Sequence, residues 1–156
     1  MPEIGYARSI IDDTPVNGEL EKAPSSNWAY DHAANKDAHH VVFVDRGNAL
    51  GYDFPNAALT KDSAWHDLDL SALLPAGAIA AALCLEAQVA VVGGDFVLRK
   101  KGNSAAYNVS KISSMVVGLW HTCDVIVFVD ANRFAQYFFT LGAYSNANIT
   151  VKGYWI

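Results

Sequence analysis

Two aspartates, Asp67 and Asp69, have the spacing in this sequence that comes closest to a catalytic carboxylate pair. On a β-strand they would share one face about 7 Å apart, because each residue advances the chain by about 3.3 Å. That separation suits the acid and base of an inverting glycosidase. Apolar and polar residues alternate around them, however, so both carboxylates fall on the solvent face, where no burial raises the pKa of an acid. We therefore expect polar surface here, and a polysaccharide hydrolase is the weaker alternative.

Nucleophilic chemistry finds no support in the sequence. There is no Gly-x-Ser-x-Gly elbow, which would present a serine on a strained turn. Cys84 and Cys123 lie inside apolar runs, where free thiols pack as small hydrophobic groups and nothing lowers their pKa. We therefore expect that the protein is not an enzyme and that it has no cofactor.

The histidines form the only set that resembles a metal site. His32, His39 and His40 lie near Asp31 and Asp37. A metal pair within one chain favours histidines at i, i+4 on a helix or i, i+2 on a strand. Adjacent His39 and His40 would point to opposite faces of an extended segment. We expect capping, hydrogen bonding or solvent exposure, and a metal bound by His39 and His40 is the weaker alternative.

Carbohydrate recognition needs aromatic platforms beside short polar side chains on loops. Aromatic and polar residues lie together near three expected loops, which makes these the candidate glycan contacts: Trp120, His121, Asn132, Arg133 and Tyr144. Other aromatic residues recur at strand spacing, and for them the core or a subunit interface is the better interpretation. These residues are Trp65, Phe128, Phe134, Tyr137 and Phe139.

The composition indicates one domain that leaves part of its apolar side chains on the surface. Of the 156 residues, 52% are hydrophobic and 17% charged, and an average protein has about 25% charged residues. We expect other subunits to cover part of that surface. The net charge of −5 argues against a nucleic-acid partner. The longest apolar run, residues 78–92, is interrupted by Glu86 and Gln88, so we expect no membrane insertion.

The chain divides into three parts by pattern. Residues 1–40, called the leader below, have no sustained period, and one helix is expected at 27–35 behind a cap at Ser25 or Ser26. This leader is expected to anchor or oligomerise the protein through Trp28, Tyr30 and His32. Residues 41–63 read as a connecting strand and loop, and 64–156 as a β-sandwich domain.

The third part has turn signals about every ten residues. They separate seven or eight short strands, as in an antiparallel sandwich. Strand 65–71 alternates with one slip at His66 and Asp67, and the glycines at 93 and 94 are expected to close a hairpin between 79–92 and 96–98. A last turn is expected at Gly142 and at 145–146. The fold class is therefore mainly β, an antiparallel, jelly-roll-like β-sandwich with a short, partly helical N-terminal extension.

Two groups of motifs resemble known proteins. Asp13-Thr-Pro-Val-Asn-Gly, Ser25-Ser-Asn-Trp-Ala-Tyr-Asp-His and Asp37-Ala-His-His resemble the leader of bacteriophage tail-fibre and related virion proteins. Trp65-His-Asp-Leu-Asp-Leu-Ser, Pro75-Ala-Gly-Ala, Phe96-Val-Leu-Arg-Lys and Asn132-Arg-Phe-Ala-Gln-Tyr resemble the small β-sandwich domains that end such fibres.

The resemblance implies a virion structural protein, usually a homotrimer, that is made in the host cytoplasm and exposed on the particle surface. Its other partners would be capsid or tail proteins. A receptor-binding adhesin that recognises a host cell-surface glycan is the alternative. Unlike long fibres, this chain has no extended shaft repeat, so its place as a tail tip, head fibre or capsid decoration stays open.

Overall fold

The computed structural model describes residues 41–105 and 107–156. Several predictions concern the leader and lie outside these residues. They are the helix at 27–35, the anchoring residues Trp28, Tyr30 and His32, and the metal alternative at His39 and His40. In the described part of the chain, no helix is long and apolar enough to cross a membrane.

Eight strands build the described domain. They are β1 (Phe43–Asp45), β2 (Trp65–Asp69), β3 (Ala80–Val89), β4 (Asp95–Lys100), β5 (Ser110–Ser113), β6 (Trp120–Phe128), β7 (Phe134–Phe139) and β8 (Tyr144–Trp155). The one helical element among these residues is a 3-10 turn at Asn56–Ala58. The first sheet has the strand order β1-β8-β3-β6 and the second sheet the order β2-β7-β4-β5. All neighbouring strands are antiparallel. This is the strand order of an eight-stranded jelly roll, so the predicted β-sandwich is confirmed.

The core lies between the two sheets and follows from strict alternation along the strands. In β3 every second residue, from Ala81 to Val89, is buried, and the residues between them are half-buried. The second sheet contributes Phe96 and Phe139, whose rings stack with centroids 4.1 Å apart. Alternate side chains of a strand point to opposite faces, so each strand has one inner row and one outer row.

The prediction of a hairpin between β3 and β4 is wrong. β3 belongs to the first sheet and β4 to the second, so residues 90–94 carry the chain across the sandwich. The crossing is held by Gly94, whose N–H donates to Ser114 Oγ at 2.7 Å and whose carbonyl accepts from the Ser114 N–H at 2.7 Å. A side chain at Gly94 would overlap the Cβ of Ala143.

Residues 41–63 form part of the sandwich and are not only a connection. β1 pairs with β8 and forms the edge of the first sheet, so the sandwich begins before residue 64. The following loop lies along β8, because Asp53 pairs with Arg46 and accepts a hydrogen bond from the Val151 N–H at 2.8 Å. Asn56 Oδ1 accepts from the Ala147 N–H at 3.0 Å.

The expected slip in β2 is also wrong. The strand alternates regularly, with Leu68 buried and His66 half-buried on the core side, where its ring lies 5.5 Å from that of Tyr137. Trp65 therefore lies on the outer face, and the Arg99 guanidinium stacks 3.7 Å from its ring centroid. At the other end of the domain, residues 145–146 belong to β8, so the last turn is limited to 141–143.

A polar network on the outer face of the second sheet makes stability depend on pH. Asp67 accepts hydrogen bonds from Lys101 Nζ at 2.6 Å and Gln136 Nε2 at 3.1 Å, and these bonds, Lys101 first, lower its pKa. A carboxylate with a depressed pKa stabilises the fold above its unfolded pKa of about 3.9, and that contribution disappears as the pH falls through the folded-state pKa.

We expect Asp67→Asn to lower the urea midpoint at pH 7 and to lower it much less at pH 2, where the wild-type carboxylate is protonated. Urea titrations of both proteins at several pH values measure this. Thr122→Ala, at an exposed position of β6 in the other sheet, is the control. An Asp67→Asn effect that does not change with pH would contradict the ion-pair explanation.

Candidate functional site

The outer face of the first sheet, called the groove face below, carries a row of residues across its four strands that is aromatic on β1, β8 and β6. Phe43 of β1 lies opposite Trp155 of β8, Trp155 opposite Ala80 of β3, and Ala80 opposite Phe128 of β6. The Phe43 and Trp155 rings have centroids 4.8 Å apart. Phe43 is 46% exposed and Phe128 50% exposed. A row of half-exposed aromatic rings on a sheet face is typical of a surface that another molecule covers.

A groove of about 480 Å³ runs beside this row. Phe43 and Trp155 line one side, and Ile126, which is 53% exposed, lines the other. Small residues occupy the middle strands between them, since Ala82 lies opposite Ile126 on one side and Gly153 on the other. Any side chain at Gly153 would collide with the Phe43 ring and with the Val44 carbonyl oxygen. The glycine therefore lets the Phe43 ring lie over the sheet.

One ion pair borders the groove, and further polar residues follow it along the groove face. Lys152 Nζ lies 2.5 Å from Asp124 Oδ2, and both residues line the groove. Further along β3 and β6, Glu86 lies opposite Thr122. Glu86 also accepts a hydrogen bond from the Tyr52 hydroxyl at 2.7 Å. The groove thus lies at the end where Phe43, Ile126 and Trp155 meet, and Trp120, which is 51% exposed, lies at the other end of β6 on the same face.

A second apolar surface lies at one end of the sandwich, where the β3–β4, β5–β6 and β7–β8 loops meet. Backbone hydrogen bonds join these loops, from Gly93 N–H to the Ser114 carbonyl (3.0 Å) and from Val91 N–H to the Ala143 carbonyl (3.2 Å). They expose aliphatic side chains and contain no charged residue. The exposed residues are Val91, Val92, Met115, Val116, Val117, Leu119 and Leu141.

The five candidate glycan contacts do not form one site. Trp120 and His121 begin β6, and Asn132 and Arg133 follow its other end, so the nine-residue strand separates the two pairs by roughly 26 Å. His121 lies on the core-facing side of β6, and its Nε2 is buried without a partner among the described residues.

Tyr144 is a core residue, contrary to its selection as a glycan contact. It is 3% exposed, and its hydroxyl donates to the Ile112 carbonyl at 2.9 Å. Burial raises the pKa of Tyr144 to about 12, so the hydroxyl stays protonated and keeps this hydrogen bond at neutral pH. Its ring packs edge-on against Phe139, with centroids 5.8 Å apart.

The aspartates and cysteines considered as catalytic groups have pKa shifts opposite in direction to those that a general acid or a reactive thiol needs. Asp67 and Asp69 are exposed, and hydrogen bonds from Lys101 and Ser71, respectively, lower their pKa values, which is opposite to what a general acid requires. Burial raises the pKa of the Cys84 and Cys123 thiols. Among the described residues, no group of three metal-ligating side chains comes together.

Sequence reasoning missed the groove, although β6 carried a signal for it. Residues 125–129 are apolar without interruption, which indicates a strand whose two faces are both covered. In the single chain only the inner residues, such as Val127, are buried, and the outer ones, Ile126 and Phe128, are half exposed. The described part of one chain therefore leaves this outer row half exposed.

Comparison with known proteins finds no family model that matches this chain and no matching curated protein. The described residues themselves offer an apolar groove face, an uncharged aliphatic end and a polar network on the second sheet. Of these surfaces, the groove face combines half-exposed aromatic rings with a groove of about 480 Å³.

Proposed function

We propose that this protein is a structural component of a bacteriophage virion, exposed on the particle surface, and that it works as a homotrimer whose copies contact one another through the groove face. The observation that carries the proposal is the apolar groove itself, with Phe43, Ile126 and Trp155 around it. The leader anchors the protein to a capsid or tail component, as its resemblance to virion leaders implies.

The energetics of the groove face favour a permanent contact. Fully burying a large apolar side chain stabilises by about 1.5–3 kcal/mol. Phe43 and Ile126 each keep about half of their surface in water, so covering both contributes about 2 kcal/mol from these two side chains alone. Partners of such a surface are usually subunits of the same assembly, because homo-oligomeric interfaces are the more apolar ones.

The arrangement of surfaces fits a ring of copies. The groove is concave, and the aliphatic end of the sandwich is a different exposed surface of the same chain. When two different surfaces of one chain meet, the contact is heterologous and closes into a ring at a suitable rotation. The number three comes from the fibre proteins that the leader resembles.

The fold is consistent with this role and with the alternative. Jelly rolls occur in viral capsid proteins and in lectins, but a fold alone does not determine function. The glycan-binding adhesin therefore remains a second candidate, and it needs a site of its own on the domain.

The self-association is tested by placing a charge on the groove face. We expect Ile126→Glu to weaken association by roughly 100-fold or more, because burying an unpaired carboxylate costs several kcal/mol. Thr122→Glu is the matched control, since Thr122 is an exposed residue four positions earlier on the same face of β6. Light scattering after size-exclusion chromatography measures both masses. Equal association of the two variants would contradict the proposed contact.

The particle assignment is tested on purified phage particles with an antibody against this chain. Gold label on the particle surface supports the proposal. Label confined to the unassembled fraction of the lysate, with none on intact particles, would contradict it.

A further inference from the structure

A small pocket lies between the β4–β5 loop and the end of β6, next to the groove, and Ile126 lines both. Its volume is about 250 Å³. Leu98, Val127 and Phe128 are the apolar residues of its lining that the site would use. Lys100, Asn103 and Asn108 line its polar side. Pockets for drug-sized ligands have about 300–1,000 Å³, so this one accommodates a single small ring.

The side-chain amides of two pocket residues make no hydrogen bond to the described part of the chain. Among the described residues, no hydrogen bond involves the side-chain amides of Asn103 and Asn108, whereas Ser110 Oγ already donates to the Ile126 carbonyl at 2.8 Å. An amide side chain offers a donor and an acceptor on adjacent atoms. Two such amides beside a half-exposed aromatic ring match a sugar, which has vicinal hydroxyls on its edges and C–H groups on its face.

The charge of the pocket selects among sugars. No carboxylate lines it. Lys100 is exposed, and its ammonium group pairs with no acid among the described residues. The neighbouring cations are already engaged, since Arg99 Nε donates to Gln136 Oε1 at 3.0 Å and Lys101 pairs with Asp67. Lys100 is thus the cation that a negatively charged ligand would meet.

From this geometry we infer that the pocket binds one acidic sugar ring, such as a uronic acid residue of a surface glycan. The Phe128 ring packs against the sugar face, Asn103 and Asn108 bind its hydroxyls, and Lys100 pairs with its carboxylate. All of these residues come from one chain, so the site does not require the proposed trimer. The pocket can therefore fail to bind the sugar while the oligomer forms. Equally, the oligomer can fail to form while the pocket binds the sugar.

The test uses the full chain, with glucuronic acid and glucose as probes, in saturation-transfer difference NMR. We expect signal from glucuronic acid and a signal weaker by about tenfold from glucose, because one charge-assisted hydrogen bond accounts for roughly a factor of ten. Asn103→Ala combined with Asn108→Ala should remove binding of both sugars. Lys100→Gln should remove only the preference for glucuronic acid.

Asn132→Ala is the matched control, because Asn132 is an exposed loop asparagine outside the pocket. Thermal melting checks that every variant is folded, and each changed side chain is at the surface. The inference is overturned if glucuronic acid gives no signal, if the double variant binds as the wild type does, or if Lys100→Gln leaves the preference intact.

Discussion

Phe139→Ala is expected to lower the free energy of unfolding by about 3–5 kcal/mol, the range for large aromatic side chains in well-packed cores. Phe139 is fully buried, stacks on Phe96 at 4.1 Å and meets the edges of Tyr137 and Tyr144 with centroids 5.8 Å away. Removing the ring leaves a cavity among three other rings that cannot collapse easily. Since whole domains are stable by about 5–15 kcal/mol, this variant should be close to unfolding.

The preceding residue supplies the control. Phe138 points to the outer face of the second sheet, where it is half-buried beside Trp65 at a centroid distance of 5.4 Å. Phe138→Ala should cost about 1 kcal/mol, because a partly exposed ring loses less buried area and leaves no enclosed cavity. Urea titrations at one protein concentration measure both. Equal losses, or a larger loss for Phe138→Ala, would contradict the register of β7.

Gly94→Ala is expected to destabilise the domain by about 1–3 kcal/mol, the range for overpacking a core. A Cβ at this position would overlap that of Ala143 and approach the Cβ of Thr140 to 3.1 Å. The backbone at residue 94 cannot move away freely, because both its N–H and its carbonyl bond to Ser114.

A double-mutant cycle makes this prediction specific to the contact. Ala143→Gly should recover a large part of the loss when it is combined with Gly94→Ala, whereas alone it should destabilise slightly. Gly51→Ala is the control, because it has open space around it and no left-handed backbone angle. Thermal unfolding of the four proteins measures the coupling. Additive effects of the two changes would show that residues 94 and 143 are not in contact.

The strands were predictable because their information is local. Alternation and turn residues placed β2, β3, β4, β6 and β7 to within a few residues of their positions. The β3–β4 crossing was not predictable, because the pair Gly93 and Gly94 indicates a turn in either case. Whether the chain returns along its own sheet or crosses to the other depends on which distant strand, here β8, lies beside β3.

The surfaces were harder to predict because distant segments build them. The groove combines Phe43, Ala82, Ile126 and Trp155, which are separated by up to 112 positions in the chain. No local pattern relates them. For Tyr144 the error was to predict exposure. The sequence shows an aromatic residue beside a turn, but distant strands pack over it and bury it.

Sedimentation velocity of the full chain over a range of concentrations is the most direct test of contact between copies through the groove face. The expected result is a species with three times the chain mass of 16.9 kDa, which Ile126→Glu converts to monomer. A single 16.9 kDa species at every concentration of the wild-type protein would contradict the account.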